Sequence, residues 1–131
     1  MISGINGNAS GELLDEIERN GLKENVIFTG YIPENERNTL YQTCHSFLFS
    51  SVFEGFGMPP VEAMLFGARV ITTRCTSIPE ITQNKALYVK DPYRVDDWIE
   101  MIRSEEKMGI LNFDVYDPEK IAKRYLDTLK E

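Results

Sequence analysis

Short apolar runs alternate with amphipathic stretches along most of the chain. Apolar and β-branched positions cluster in "ENVIFTG" (24–30), "SFLFSS" (46–51), "RVITTR" (69–74) and "ALYV" (86–89). Each run is strand-length and bounded by glycine, proline or polar residues, so each predicts a strand. The first reads as a buried strand ended by Gly30. The second lacks apolar–polar alternation, which fits a parallel sheet covered on both faces. Between the strands, "PENERNTLYQTC" predicts a polar helix with Leu40 and Tyr41 turned inward. A helix is predicted from about Pro59 to Phe66, stopped by Gly67, and "SIPEI" predicts a short helical turn. "DPYRVDDWIEMIRSEEK" sets Val95, Trp98, Ile99 and Ile102 at helical spacing, a stripe expected to face the core. "DPEKIAKRYLDTLKE" opens a last helix with an aspartate cap and proline in the first helical position.

Strands that alternate with helices imply right-handed crossovers and an α/β fold, a Rossmann-like doubly wound parallel sheet. The N-terminal stretch, "MISGINGNASGELLDEIERNGL", offers at most the tail of a strand before a glycine loop and a helix. About four strands are predicted where a doubly wound nucleotide-binding domain usually has five or six. The expectation is a single domain over 1–131 that lacks its first strand and helix.

Composition narrows the chemistry. The 131 residues suffice for one core, and no apolar run approaches the length of a membrane span. The net charge of −7 and the lack of a basic patch argue against nucleic acid as a partner. Phosphate ligands stay open, because backbone amides at a helix start bind anions without side-chain charge. Cys44 and Cys75 lack metal-type spacing and read as buried, reduced thiols. His45, the single histidine, reads as a structural residue at the start of an apolar run.

One stretch does not fit a purely structural reading: "FEGFGMPPVEAM", residues 53–64. It follows a predicted strand and leads into a helix, the position at which open parallel sheets bind ligands. Gly55 and Gly57 let a ligand approach the main chain. Pro59 and Pro60 suit the first helical turn, where N–H partners are missing anyway. Amides around Gly57, Met58 and Val61 lie at the positive end of the helix dipole. Glu62 offers a carboxylate fork that matches vicinal hydroxyls such as those of a ribose, and Glu54 can accept from hydroxyls of a second ring. The bland alternative makes Glu62 a helix-end residue and Glu54 a solvated one.

The run "SSVFEGFGMPPVEAMLFGARVITTRCTSIPEI" closely resembles the signature of the GT-B retaining glycosyltransferases, above all family 4, with its E-x7-E motif. "NVIFTGYIPENERNTLYQTC" and "ALYVKDPYRVDDW" are similar to the flanking segments, so the likeness extends from about residue 8 onward. Arg69 stands where a proline is common, and Ser50 takes a usual proline place. The resemblance implies the C-terminal, donor-binding half of a GT-B fold. It implies that Glu62 binds the ribose hydroxyls of a nucleotide-sugar donor. Glu54, with the backbone of Gly55, Phe56 and Gly57, would hold the donor sugar and stabilise the transition state, with Glu54 as the catalytic residue. Met58 would face the diphosphate, and Tyr31 and Ile32 would border the nucleobase.

Catalysis in this family normally uses no metal and no cofactor beyond the nucleotide-diphosphate sugar, which is the substrate. The family's arginine and lysine on the diphosphate have no match in this stretch, nor has the N-terminal acceptor domain. On that reading the chain is a donor-side fragment, inactive alone, of a cytoplasmic enzyme of polysaccharide biosynthesis at the inner face of a membrane. Apolar area exposed where another domain should pack would favour a homodimer. Two rival functions are a glycosidase using Glu54 and Glu62 as its carboxylate pair and a non-catalytic binding module. A phosphorylase or sugar-nucleotide epimerase of the same layout fits the glycine–proline–glutamate run less well.

Overall fold

A computed structural model describes residues 1–4 and 10–128 of the chain. The middle of the predicted glycine loop (5–9) and the end of the last predicted helix (129–131) lie outside the described residues. The chain forms two compact units, Met1–Leu40 and Tyr41–Glu131.

In the first unit, β1 (Ile2–Ser3) pairs in parallel with β2 (Phe28–Gly30), and α1 (Ser10–Arg19) lies between them in sequence. The strand tail expected at the N-terminus is therefore present. The expectation of a buried strand over 24–30 is corrected: Ile27 and Phe28 are exposed. A ribbon of two very short strands offers little partner surface within its own unit, and of the apolar residues in α1 only Ile17 is buried, while Leu13 and Leu14 remain exposed. α2 (Glu34–Thr43) starts in this unit, and its last turn, from Tyr41, belongs to the second.

The second unit is a three-stranded parallel sheet in the order β3 (Phe47–Phe49), β4 (Val70–Thr72), β5 (Leu87–Tyr88). α3 (Met58–Leu65) joins β3 to β4, and the short α4 (Ile78–Ile81) precedes β5. β4 is wholly buried and its side chains divide between two clusters, as the two-residue period of a strand requires. Val70 joins Val61, Ala63 and Met64 of α3, with Tyr41 and Ile81. Ile71 joins Leu87 and Val89, against Trp98, Met101 and Ile102 of α5 (Val95–Arg103). Helices thus cover opposite faces of the sheet, the doubly wound arrangement expected from the sequence.

Two details of the predicted core are corrected. α5 packs through Trp98, Met101 and Ile102, whereas Val95 and Ile99 are exposed. The first turn of this helix is held by polar bonds: buried Asp97 accepts from the Asp91 amide at 2.9 Å, and Trp98 Nε1 donates to the Pro92 carbonyl at 3.0 Å. β3 is also not covered on both faces. Phe47 and Phe49 are half-buried with rings stacked at 6.2 Å, while Leu48 between them is exposed. β3 ends the three-stranded sheet, and α5 reaches only the strands beyond it.

Helix ends follow their sequence signals closely. α3 stops in a Schellman motif: Gly67, at φ +83°, donates to the Met64 carbonyl, and Ala68 donates to that of Ala63. α6 (Pro118–Thr128) is capped by Asp117, whose carboxylate accepts from the Glu119 amide at 2.9 Å. Cys44 and Cys75 are free and half-buried, where the sequence suggested full burial. Burial raises the Cys44 thiol pKa above its ordinary value, partly offset by a backbone hydrogen bond.

Candidate donor-binding site

Parallel register aligns Phe49 of β3 with Thr72 of β4, so the loops that follow these strands leave the sheet side by side. One loop, 50–57, carries Glu54; the other, 73–77, is rich in hydroxyls. They are laced together. Thr72 Oγ1 donates to the Phe49 carbonyl at 2.9 Å, and Thr73 Oγ1 to that of Ser51 at 2.7 Å. The Glu54 amide donates to Thr76 Oγ1 at 3.1 Å. Ser77 Oγ shares its one proton between the carbonyls of Phe56 at 3.0 Å and Glu54 at 3.2 Å. Both threonines that begin this series are completely buried, where a hydroxyl without a partner would be costly.

The loop ends on Gly57, the N-cap of α3, at φ +82° and ψ +55°. This is left-handed backbone, which glycine adopts without penalty. The space is also tight on one side: a Cβ here would lie 3.1 Å from Ile81 Cδ1 and in ordinary contact, 3.5 Å, with Cβ of Glu54. The Glu54 side chain thus begins beside Gly57, at the helix start. At Gly55 nothing approaches the position of an added Cβ, so the main chain there is open on that side.

No side chain caps α3 at its N-terminus. Met58 is its first residue, and Pro59 and Pro60 carry no N–H, so the two prolines remove donors that would otherwise be orphaned. Glu62, half-buried, stands in the second turn, one turn on from Met58. The side chains of Phe53 (82% exposed), Phe56 (53%) and Met58 (46%) project outward, while the backbone that bears them is tied down.

Glu54, Gly57 and the hydroxyl loop are thus brought together directly, and Glu62 follows on the helix that the loop starts. Tyr31 and Ile32 belong to the first unit, after Gly30 at φ +64°; Tyr31 is 78% exposed and Ile32 half-buried. His45 is exposed, its ring Nδ1 at 3.0 Å from Ser46 Oγ. Among the described residues, no group of three or more His, Cys, Asp or Glu side chains is arranged to hold a metal ion.

A cleft of about 530 Å³ does occur in the second unit, but at the opposite end of β4, lined by His45, Arg69, Ser104 and Leu111 among others. It belongs to the start of the strand, away from the carboxyl ends where parallel sheets place ligands.

Sequence reasoning missed Thr72, Thr73, Thr76 and Ser77. Four hydroxyls within six residues, from the last residue of a buried strand onward, were the available signal. Thr76 adds a second mark, φ +49°, which is uncommon for any residue but glycine and strained for a β-branched one. Such a conformation costs on the order of 1–3 kcal/mol and persists only where surrounding contacts enforce it.

The family model for glycosyl transferases group 1 matches residues 1–125. The chain belongs to this family. Its relatives include the O-antigen chain mannosyltransferase B of Escherichia coli, 34% identical over 96 residues, which cover 73% of this chain and 25% of that protein. The O-antigen chain mannosyltransferase RfbU of Salmonella typhimurium is 32% identical over 112 residues, 84% of this chain and 30% of that protein. The serotype-specific mannosyltransferase WbdA of Escherichia coli is 42% identical over 59 residues, 45% of this chain and 7% of that one. The chain thus spans a third or less of the length of each of these relatives. The family read from the sequence is borne out, as is its α/β fold with parallel strands. No helix among the described residues is long and apolar enough to cross a membrane.

Proposed function

We propose that this group 1 glycosyl transferase chain supplies the donor side of a retaining hexosyl transfer from a nucleotide-diphosphate sugar. The observation that carries the reading is the loop 50–57. In a chain of this family, an acid-bearing loop at the carboxyl end of parallel strands is fixed along its backbone and leads directly into a helix start. Glu62 takes the ribose hydroxyls, and the helix start at Met58 faces the diphosphate. Glu54, with the main chain of Gly55, Phe56 and Gly57, holds the sugar. Tyr31 and Ile32 border the base.

In the transfer, the bond between the anomeric carbon and the diphosphate oxygen breaks and the acceptor hydroxyl oxygen forms the new one, its proton passing to the departing diphosphate. Negative charge develops on the departing diphosphate and positive charge on the sugar ring. Fixed dipoles and a carboxylate aimed at those positions lower the barrier, with no metal needed. The acceptor, a glycan, lipid or small molecule, is held by another domain of the same enzyme, so the chain alone does not turn over. The reaction belongs to the cytoplasm, at the inner membrane face when the acceptor is a lipid. Three relatives are named mannosyltransferases, which makes a nucleotide-diphosphate mannose the first donor to try.

The test is ligand-observed NMR of the chain against nucleotide-diphosphate sugars and free nucleotides. The wild type binds a sugar nucleotide at millimolar concentration, and Glu62→Ala weakens it by about 10- to 150-fold, the value of a charge-assisted hydrogen bond. Wild-type silence toward every nucleotide, or equal binding by the variant, sinks the assignment.

A further inference from the structure

We infer that Thr76 and Ser77 are positioning residues for Glu54, and that they set the chain's preference for a sugar nucleotide over the bare nucleotide. The inference rests on the donor-site reading above and deepens it. Its basis is that two residues in succession forgo their ordinary local roles, and both spend the hydroxyl on the same loop.

Thr76 is a β-branched residue held at φ +49°, where glycine would sit without strain. Glycine could not do what its side chain does, which is to accept the Glu54 amide at 3.1 Å. Ser77 occupies the N-cap of α4, the position where serine ordinarily accepts from its own helix, yet it makes no capping bond. Its hydroxyl turns instead to the carbonyls of Glu54 and Phe56. The main chain of Glu54 is thereby gripped from both sides, N–H by one hydroxyl and C=O by the next. The side chain of Glu54 meanwhile lies along Gly57. With its backbone and the root of its side chain fixed, the carboxylate has little freedom left except about its outer bonds.

Neither hydroxyl is placed on the ribose or the base. Loosening the grip should therefore blunt recognition of the sugar ring and spare recognition of the nucleotide. Thr76→Gly separates this from a structural role, because it removes the hydroxyl while relieving the backbone strain. Thr76→Ser keeps the hydroxyl, and Ser77→Ala removes one without deleting a capping bond.

The experiment measures, on the full chain, affinity for the sugar nucleotide and for its free nucleoside diphosphate, with hydrogen exchange at the Glu54 amide. Thr76→Gly and Ser77→Ala are expected to lower sugar-nucleotide affinity about tenfold and leave the nucleoside diphosphate within about twofold, since small misplacements of a positioned group are costly. Glu54 amide protection falls in Thr76→Gly and is retained in Thr76→Ser, which binds as wild type does. If both ligands weaken in parallel, or neither weakens, the positioning role is overturned while Glu62-dependent binding by wild type keeps the donor site standing. If wild type binds no nucleotide at all, both fall together.

Discussion

The two ends of β4 are fixed by opposite chemistry. At its start, one cation does the work: the Arg69 guanidinium donates to Ser46 Oγ at 3.1 Å, to the carbonyls of Met101 and Ser104 at 2.9 Å each, and to Ser104 Oγ at 3.0 Å. It ties the residue before β3 to the end of α5. At the other end, small neutral hydroxyls bond to backbone and leave the side chains of the neighbouring loop outside. A guanidinium presents several donors in a rigid plane and suits a permanent joint. A row of hydroxyls shapes a main chain without adding charge beside Glu54. The sheet has one end joined by a cation and one end laced by hydroxyls, and the donor site is proposed at the second.

Arg69→Ala tests the cation-joined end most severely. It removes the charged donor from the Ser104 carbonyl and leaves the Met101 carbonyl only its bonds from Ser104, and should cost about 2–3 kcal/mol of stability in denaturant unfolding, a value typical of hydrogen bonds to a charged group. Nucleotide affinity should hold once the variant is folded. Loss of affinity with unchanged stability would erase the distinction between the ends. Gly57→Ala comes next. Left-handed backbone costs a residue with a Cβ about 1–2 kcal/mol, and the added methyl must push the Ile81 Cδ1 methyl back by a few tenths of an ångström. Both stability and sugar-nucleotide binding should fall. A variant of normal stability would mean that α3 starts without this turn. Thr73→Val is the mildest. It keeps the shape but removes the bond to the Ser51 carbonyl, so about 1 kcal/mol should be lost, visible as a shift in the unfolding midpoint.

The same contrast explains what could be read from the amino-acid order. β3, α3 and β4 were legible because an apolar run, a glycine–proline turn and Gly67 punctuate them in the order physics demands. The caps at Gly67 and Asp117 needed only local geometry. The exposure of Leu48, Val95 and Ile99 was not legible, since apolar residues announce a face but not whether anything covers it. Glu54 and Glu62 stood out through their spacing beside glycine and proline. The hydroxyls of 72–77 did not, because serine and threonine look alike whether they bond to water, to their own turn or to a loop some twenty residues earlier. Arg69 looked like a mere departure from a common proline, and only the folded chain reveals the acceptors gathered around it.

The lacing of loop 50–57 also bears on how such a chain can change over evolutionary time. The path of the loop is written mainly in residues 72–77 and in Gly57, not in the side chains of Phe53, Phe56 and Met58 that it displays. Phe53 can be exchanged with little loss of stability, since it is largely in solvent already, and Phe56 and Met58, each about half exposed, at modest cost. A lineage can therefore try new surfaces around Glu54 one substitution at a time, with the folded framework unchanged beneath them.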